Sequence, residues 1–180
     1  MAHATPRVAV LVENLYQEME VWYPILRFQE AGAKVTIFGP EKTRYTSKLG
    51  YPVQADEAAS AARAADFDVV VVPGGFAPDL MRTCKPMVSF VREMHEQGKI
   101  VAAICHGTWL LASAGALKGR RATGAPSIVD DICNAGASYE DAEVVRDGNL
   151  ITSRKPADIP AFSAAILHAV SDQFGRPSWF

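Results

Sequence analysis

The stretch Lys99-Ile-Val-Ala-Ala-Ile-Cys-His-Gly-Thr-Trp-Leu-Leu111 passes from an apolar, partly β-branched run into a helix-compatible segment through Cys105-His106-Gly107. This pattern is typical of a buried strand that leads directly into a helix. A cysteine at such a turn lies at the carboxyl end of the strand and near the positive end of the next helix. Both features favour the thiolate, which is the nucleophilic form. We therefore predict that Cys105 is the reactive residue. His106 is either its base or orienting group, or a polar residue that points away from the sulfur and caps the new helix or contacts another subunit.

The central run is one of several short β-branched runs that alternate with segments of helical period, which indicates a parallel-sheet α/β fold. The predicted strands are 7–12, 34–39, 68–72 and 99–104. The predicted helices are 18–31, 86–97, a segment that ends at about Ala114, and a last helix from 157 to about 174. A predicted hairpin joins 143–146 to 150–153. No linker interrupts the pattern, so we predict one doubly wound domain. Ligands bind beyond the carboxyl ends of the strands in such sheets. Glu13, the Pro73-Gly74-Gly75 turn and Cys105 are therefore expected to converge on one pocket.

The composition and charge argue against several classes of protein. A net charge of −2 over 180 residues gives no electrostatic reason to expect a nucleic acid or an anionic membrane as partner. No apolar run approaches membrane-spanning length, and the first residues lack the layout of a signal peptide. The three cysteines have no paired spacing, so free thiols in a reducing, cytoplasmic compartment are expected. Because no Cys-x-x-Cys or His-x-x-x-His spacing is present, we predict no metal site.

Two acidic residues, Glu18 and Glu20, open the predicted first helix. Acidic residues in a first helical turn complement the helix macrodipole, and the residues alone favour this interpretation for both. An acid that points into the pocket would instead hydrogen-bond the cysteine sulfur and share a proton with it. The sequence alone favours the macrodipole role for both.

The Pro73-Gly74-Gly75 turn follows a buried strand. It is either a tight turn that needs unusual backbone angles or a loop whose N–H groups face an oxyanion. Asp79 follows it in sequence and either orients a histidine or caps a helix. Cys84 and Cys133 lack a comparable setting, and we expect them to be structural. The alternative for Cys105 is an inert cysteine that packs as a small hydrophobe.

Ordered landmarks extend from about Arg7 to the final helix. They are Glu18-Met19-Glu20 with Tyr23-Pro24, Val72-Pro73-Gly74-Gly75, Ala103-Ile104-Cys105-His106-Gly107, Asp130-Asp131 with Asn134-Ala135-Gly136, Asp147-Gly148-Asn149 and Ser153-Arg154-Lys155-Pro156-Ala157-Asp158. Together they resemble the PfpI superfamily, which includes the PfpI-type intracellular cysteine peptidases and the Parkinsonism-associated deglycase. The resemblance implies a flavodoxin-like doubly wound α/β fold with a mostly parallel sheet, helices on both faces and a nucleophile elbow. It also implies a single, class I glutamine-amidotransferase-like domain over residues 1–180, and no cofactor is expected.

The resemblance implies a role for each candidate residue. Cys105 matches the elbow nucleophile, Glu20 matches the buried glutamate that contacts its sulfur, and His106 matches the histidine that follows the nucleophile. Asp79 matches an acidic residue that the PfpI branch contributes across a subunit interface. That branch usually has glutamate there, so Asp79 reaches one methylene less. The backbone N–H groups of Gly75 and His106 match the oxyanion site.

Two positions near the expected pocket depart from the PfpI branch. Ala125 stands where these peptidases commonly carry an active-site tyrosine, so the pocket should be wider and lack a hydroxyl donor. Gln17 stands where this branch tends to place an acid. Together with Glu13 and Gly74, these residues are expected to form part of the pocket. The two departures predict that the substrate preference has drifted.

The resemblance implies a cysteine-dependent stress-response enzyme that acts on reactive carbonyls or their adducts, of the glyoxalase III or deglycase type. The first alternative is an intracellular cysteine peptidase or amidase whose Cys-His-Asp triad is completed across a subunit interface. The second alternative is a thiol redox sensor or holdase chaperone without turnover, because a reactive thiol is also oxidised selectively. The expected ligand is accordingly a small carbonyl compound or a peptide or amide.

The same resemblance implies a homodimer or a larger homo-oligomer. Trp22 and Trp109 are expected to pack in the core. The terminal pair Trp179 and Phe180 is the better interface candidate, because aromatic residues are enriched at interfaces.

Overall fold

The computed structural model describes residues 5–174. The strands are β1 Arg7–Leu11, β2 Lys34–Gly39, β3 Arg44–Thr46, β4 Pro52–Gln54, β5 Glu57–Ala58, β6 Val69–Val72, β7 Ile100–Ile104, β8 Arg121–Ala122, β9 Ser138–Tyr139, β10 Val144–Asp147 and β11 Leu150–Ser153. In this part of the chain, seven of them form one sheet in the order β10-β11-β7-β6-β1-β2-β5. The sheet is parallel except for β10, which runs antiparallel to β11. Two small sheets pair β3 with β4 and β8 with β9.

The helices cover this sheet in two groups. They are α1 Glu18–Glu30, α2 Ala77–Met81, α3 Lys85–Glu96, α4 Thr108–Ala114, α5 Val129–Asn134 and α6 Ile159–Phe174. α1 packs against α6 on one face, whereas α4 packs against α2, α3 and α5 on the other. β6 consists of four valines, and both β6 and β7 are buried throughout. Such continuous apolar strands are expected where both faces of a sheet are covered.

The predicted α/β class is confirmed, and each predicted element lies within two residues of its predicted ends. The sequence pattern missed β3, β4, β5, β8, β9, α2 and α5, because each is six residues or shorter and shows no clear period. The predicted start of the last helix at residue 157 was wrong. Pro156–Asp158 form a 3-10 turn there, and α6 begins at Ile159.

The order of the strands positions the site. β1 is bonded to β2 on one side and to β6 on the other, so the chain changes direction across the sheet at this point. β7 lies on the far side of β6 and runs parallel to it. The carboxyl ends of β1, β6 and β7 therefore lie at one edge, where open α/β sheets bind ligands.

The predictions for the aromatic residues have different outcomes. Trp22 and Trp109 are half-buried and pack against the hydrophobic core. Trp179 and Phe180 lie outside the described residues, so their place at an interface stays a prediction. The single domain over residues 1–180 also stays a prediction. None of the helices within residues 5–174 is long and apolar enough to cross a membrane.

Candidate active site

The turn between β7 and α4 holds Cys105 in the left-handed backbone region, with a φ of +60°. A positive φ is uncommon for a residue with a Cβ, and such strain concentrates at functional sites. Cys105–Gly107 form a single 3-10 turn before α4 begins. Gly107 lets the turn pack closely on β6, because a Cβ there would collide with the carbonyl oxygen of Val72. The strained strand-to-helix turn that the predicted elbow requires is therefore present.

The backbone N–H groups of Gly75 and His106 face the Cys105 sulfur, and both act to lower the pKa of its thiol. They are the same two amides that were predicted to form the oxyanion site. Fixed donors of this kind stabilise negative charge that develops on the atoms they face. Both therefore face the atom at which the chemistry is expected to begin.

The Gly74-Gly75 pair shapes the loop that supplies one of these amides. Gly75 has a φ of +81°, which favours glycine, and it forms an isolated antiparallel bridge with Tyr16. Gly74 has no room for a side chain, since a Cβ there would lie 2.7 Å from the Cβ of Cys105 and from Oε2 of Glu20. The tight turn and the N–H donors are thus features of the same loop.

Glu20 reaches this loop from the first turn of α1, and its side chain is completely buried. Its Oε2 accepts a hydrogen bond of 2.7 Å from the Gly74 N–H group, and its carboxyl group contacts the Cys105 thiol. Its Oε1 has no hydrogen-bond partner among the described residues. Burial raises the pKa of Glu20 to about 7, against the lowering effects of the Gly74 N–H group and the Cys105 thiol.

Burial also raises the pKa of the Cys105 thiol, and the negative charge of Glu20 raises it further. The N–H groups of His106 and Gly75 oppose this shift without reversing it. The expectation that the turn favours the thiolate was therefore wrong in sign, because burial and the neighbouring carboxylate outweigh the helix end. A thiolate here requires the proton to reside on Glu20, so the two groups titrate as a coupled pair.

The His106 ring faces the sulfur, which the sequence left undecided. Its Nδ1 lies 3.3 Å from Sγ of Cys105, and its Nε2 lies 3.1 Å from Oγ of Ser127. Trp109 packs edge-on against the ring, with 5.0 Å between the ring centroids. Burial lowers the pKa of His106, and the positive charge of Lys48 adds to this effect. A neutral imidazole that donates its Nε2–H to Ser127 leaves Nδ1 free to accept the thiol proton.

Asp79 is not part of this arrangement in one chain. It lies exposed on α2, and among the described residues it makes no hydrogen bond or ion pair with His106. Ser127 occupies the Nε2 side of His106 instead, and the sequence reasoning missed it. The only feature of the sequence that pointed to Ser127 as a site residue was its position shortly after Ala125. An acid contributed by a second copy of the chain stays a prediction.

Three residues predicted to form part of the pocket, Glu13, Gly74 and Ala125, do not line the cavity beside Cys105. The Glu13 carboxylate turns back and accepts a hydrogen bond from the N–H group of Asn14. Ala125 is buried beneath the turn, where its N–H group donates to the carbonyl oxygen of Cys105. Local backbone hydrogen bonds thus hold Glu13 and Ala125 away from the cavity lining. This corrects the prediction that Glu13, Gly74 and Ala125 line the pocket, whereas the widening at Ala125 stays a prediction.

A cavity of about 140 Å³ borders the Cys105 thiol. It is lined by Gln17, Glu20, Lys48, Gly75, Phe76, Cys105, His106 and Pro156. Gln17 was predicted there, whereas Lys48, Phe76 and Pro156 were not, because their approach depends on how separate loops pack. Within residues 5–174, no group of three or more His, Cys, Asp or Glu side chains is placed to hold a metal ion.

Known proteins are similar to this chain in sequence and in fold. The profile of the DJ-1/PfpI family matches residues 6–169. The chain belongs to the DJ-1/PfpI family. The predicted superfamily is thereby confirmed over most of the chain.

Three members of the DJ-1/PfpI family illustrate the similarity. Deglycase PH1704 of Pyrococcus horikoshii is 44% identical over 156 residues, which cover 87% of this chain and 94% of the relative. YraA of Bacillus subtilis, provisionally named a cysteine protease, is 41% identical over 163 residues, which cover 90% and 96%. The crystal structure of Drosophila melanogaster DJ-1β matches with a TM-score of 0.87 at 30% identity, covering 96% of this chain and 92% of that one. The flavodoxin-like fold is therefore confirmed as well.

Removing the buried acid should change how stability depends on pH. The pKa of Glu20 is about 7 in the folded chain and about 4.3 in an unfolded chain, so the folded state binds more protons between these values. The contribution of Glu20 to the free energy of unfolding should therefore fall by up to about 4 kcal/mol as the pH rises through this range. Glu20→Gln should abolish this decline, which urea unfolding at pH 5 and pH 8 measures.

Glu93→Gln is the matched control, because it removes an exposed carboxylate from α3. Both variants remove one negative charge, so general charge effects cancel in the comparison. Glu93→Gln should lose stability between pH 5 and pH 8 as the wild type does. The same loss in Glu20→Gln would contradict a raised pKa at Glu20.

Proposed function

We propose that the chain is a cysteine-dependent enzyme of the glyoxalase III or deglycase type that acts on small reactive carbonyls or their adducts. The observation that carries this proposal is the contact of the buried Glu20 carboxyl group with the Cys105 thiol at the wall of a small cavity. Such a pair holds one proton on either group, as the addition of a thiol to a carbonyl requires. The deglycase name of the Pyrococcus horikoshii relative supports the same class of reaction.

The first step of this reaction forms a hemithioacetal. With the proton on Glu20, the Cys105 thiolate attacks the aldehyde carbon, and the C=O π electrons move to the oxygen. The N–H groups of Gly75 and His106 stabilise the charge on that oxygen until the proton from Glu20 reaches it. The addition has no leaving group, so every atom of the aldehyde and the thiol is retained.

For a 2-oxoaldehyde, the second step moves a proton between adjacent carbons. The neutral His106 imidazole, whose Nδ1 lies 3.3 Å from the sulfur, removes the C–H proton of the hemithioacetal to give an enediolate. A proton then moves from the hydroxyl group beside the sulfur to the other oxygen. Return of the proton to the neighbouring carbon gives a thioester. Water then releases a 2-hydroxy acid and the free thiol. Methylglyoxal and water thus give lactate without an external oxidant.

The size of the cavity supports a small substrate. Its volume is about 140 Å³, and both Cys105 and Glu20 lie on its lining. A carbonyl compound of a few carbon atoms fills such a space, whereas most of a peptide would lie outside it. The cavity therefore favours carbonyl chemistry over peptide cleavage.

Lactate formation from methylglyoxal tests the proposal. The purified protein should form lactate, and Cys105→Ala should form none above the uncatalysed background, because the hemithioacetal cannot form. Glu20→Gln should lower the rate by about 100- to 10,000-fold, the usual contribution of a positioned proton-transfer group. An enzyme-coupled assay of lactate measures all three proteins.

Cys84→Ala and Cys133→Ala are the matched controls. Both residues are free thiols that do not line the cavity, so both variants should retain the wild-type rate. Undiminished lactate formation by Cys105→Ala would rule the proposed reaction out. The same rate loss in all three cysteine variants would point to a general effect on folding.

A second candidate is an amidase or peptidase, and the 3.3 Å between His106 Nδ1 and Cys105 Sγ favours it. In that reaction Cys105 would attack an amide carbonyl, His106 would protonate the leaving amine, and water would cleave the acyl-enzyme. Asp79 is exposed on α2 and would have to reach His106 from a second copy of the chain. The protease name of the Bacillus subtilis relative belongs to this candidate.

Fluorogenic peptide amides distinguish the second candidate from the first. If a triad shared between copies operates, Asp79→Asn should lower amide hydrolysis by about 100-fold or more, because the histidine loses its orienting acid. Asp130→Asn removes another exposed carboxylate, on α5, and should have no effect. A protein that sediments as a monomer, with amide hydrolysis unchanged in Asp79→Asn, would exclude the shared triad.

A further inference from the structure

Among the described residues that line the cavity, Lys48 alone carries a permanent positive charge. It forms no ion pair with a described carboxylate. Alongside the larger effect of burial, its charge acts to lower the pKa of both Glu20 and His106. The ammonium group therefore lies near the reacting groups and is free to bind an anion.

The loop between β3 and β4 carries Lys48, and hydrogen bonds fix this loop to the start of α1. The Glu18 carboxylate accepts a hydrogen bond from the Ser47 hydroxyl group and another, of 2.8 Å, from the Leu49 N–H group. The N–H group of Lys48 itself donates to the carbonyl oxygen of Tyr16 at 3.0 Å. Because the backbone is held at and on both sides of Lys48, the lysine is presented to the cavity from a rigid support.

We propose that Lys48 binds an anionic group of the substrate, so that the site prefers small carbonyl compounds with a carboxylate next to the reacting carbonyl. This inference rests on the proposed function and names its substrate class. An ammonium and a carboxylate form a charge-assisted hydrogen bond, which is stronger than a neutral one. A carboxylate held by Lys48 leaves the adjacent carbonyl carbon for the Cys105 thiol.

Glyoxylate is the probe, because it is the smallest aldehyde that carries a carboxylate. Its reaction with Cys105 forms the S–C bond, breaks the C=O π bond and transfers the thiol proton to the oxygen. The product is a reversible hemithioacetal without a leaving group. Methylglyoxal is the matched neutral probe, since its acetyl group has nearly the shape of the carboxylate of glyoxylate. The two aldehydes therefore differ chiefly in charge.

Protection of Cys105 against alkylation by iodoacetamide reports the binding of either aldehyde without turnover. For each protein, we determine the concentration of each aldehyde that halves the rate of alkylation. The measurement is the concentration for methylglyoxal divided by the concentration for glyoxylate. Hydration of the free aldehydes is the same in every experiment, so it cancels when the ratios of two variants are compared. The ratio in Lys48→Met should be about tenfold lower than in the wild type, as expected for the loss of one hydrogen bond to a charged group.

Two further variants control this measurement. Lys48→Arg should keep most of the wild-type ratio. Lys42→Met removes a lysine that pairs with Glu57 outside the cavity lining, and it should keep the whole ratio. Because the Lys48 side chain is exposed, Lys48→Met should also melt at the wild-type temperature, which circular dichroism checks.

The outcomes separate this inference from the function on which it rests. If both aldehydes protect Cys105 and Lys48→Met leaves their ratio unchanged, the anion-binding role is overturned and the proposed function stands. If neither aldehyde protects Cys105 and no lactate forms, the proposed function is overturned and this inference with it. A ratio that falls equally in Lys42→Met and Lys48→Met would reflect only the net charge of the protein and would overturn the specific role of Lys48.

Discussion

The carboxyl group of Glu20 is buried against the Cys105 thiol, so the ionisation of one group opposes that of the other. A carboxylate without partners is unfavourable in such a place. The Gly74 N–H group provides a partner, and the missing Cβ at Gly74 lets the carboxyl group and the thiol approach each other. The three residues come from distant parts of the chain, and the adjacency of β1, β6 and β7 brings them together. The elbow and its two N–H donors surround this one contact.

The sequence predicted the scaffold of the site better than its chemistry. Strands that are buried on both faces leave uninterrupted apolar runs, so the strands that end at the site were found almost to the residue. The interpretation of Glu20 was different. An acid in a first helical turn has the same local pattern whether it faces solvent or a sulfur, and only the family resemblance pointed to the sulfur. Likewise, nothing in the residue types around Cys105 indicated that burial would raise its pKa.

Side-chain direction depended on backbone strain and on loop packing, neither of which the sequence shows. Consecutive side chains of an extended strand point to opposite faces, which argues against a His106 ring beside Cys105. The positive φ of Cys105 and the 3-10 turn that follows bring Nδ1 to the sulfur all the same. Lys48 and Ser127 were missed for a related reason. Each reaches the site through a loop whose path is set by contacts with distant parts of the fold.

The two acids at the start of α1 have different roles because helix geometry separates them. Two steps along an α-helix turn the side chain by about 200°, so Glu20 faces the thiol while Glu18 faces the loop of Lys48. Burial raises the pKa of Glu20. Partial burial acts in the same direction on Glu18, but hydrogen bonds from the loop lower its pKa overall. One acid thus remains charged and fixes the proposed anion site, and the other is the proposed proton partner of Cys105. Because both stand on the same helical turn, a shift of the α1 backbone would displace the proposed substrate anchor and the proposed proton partner together.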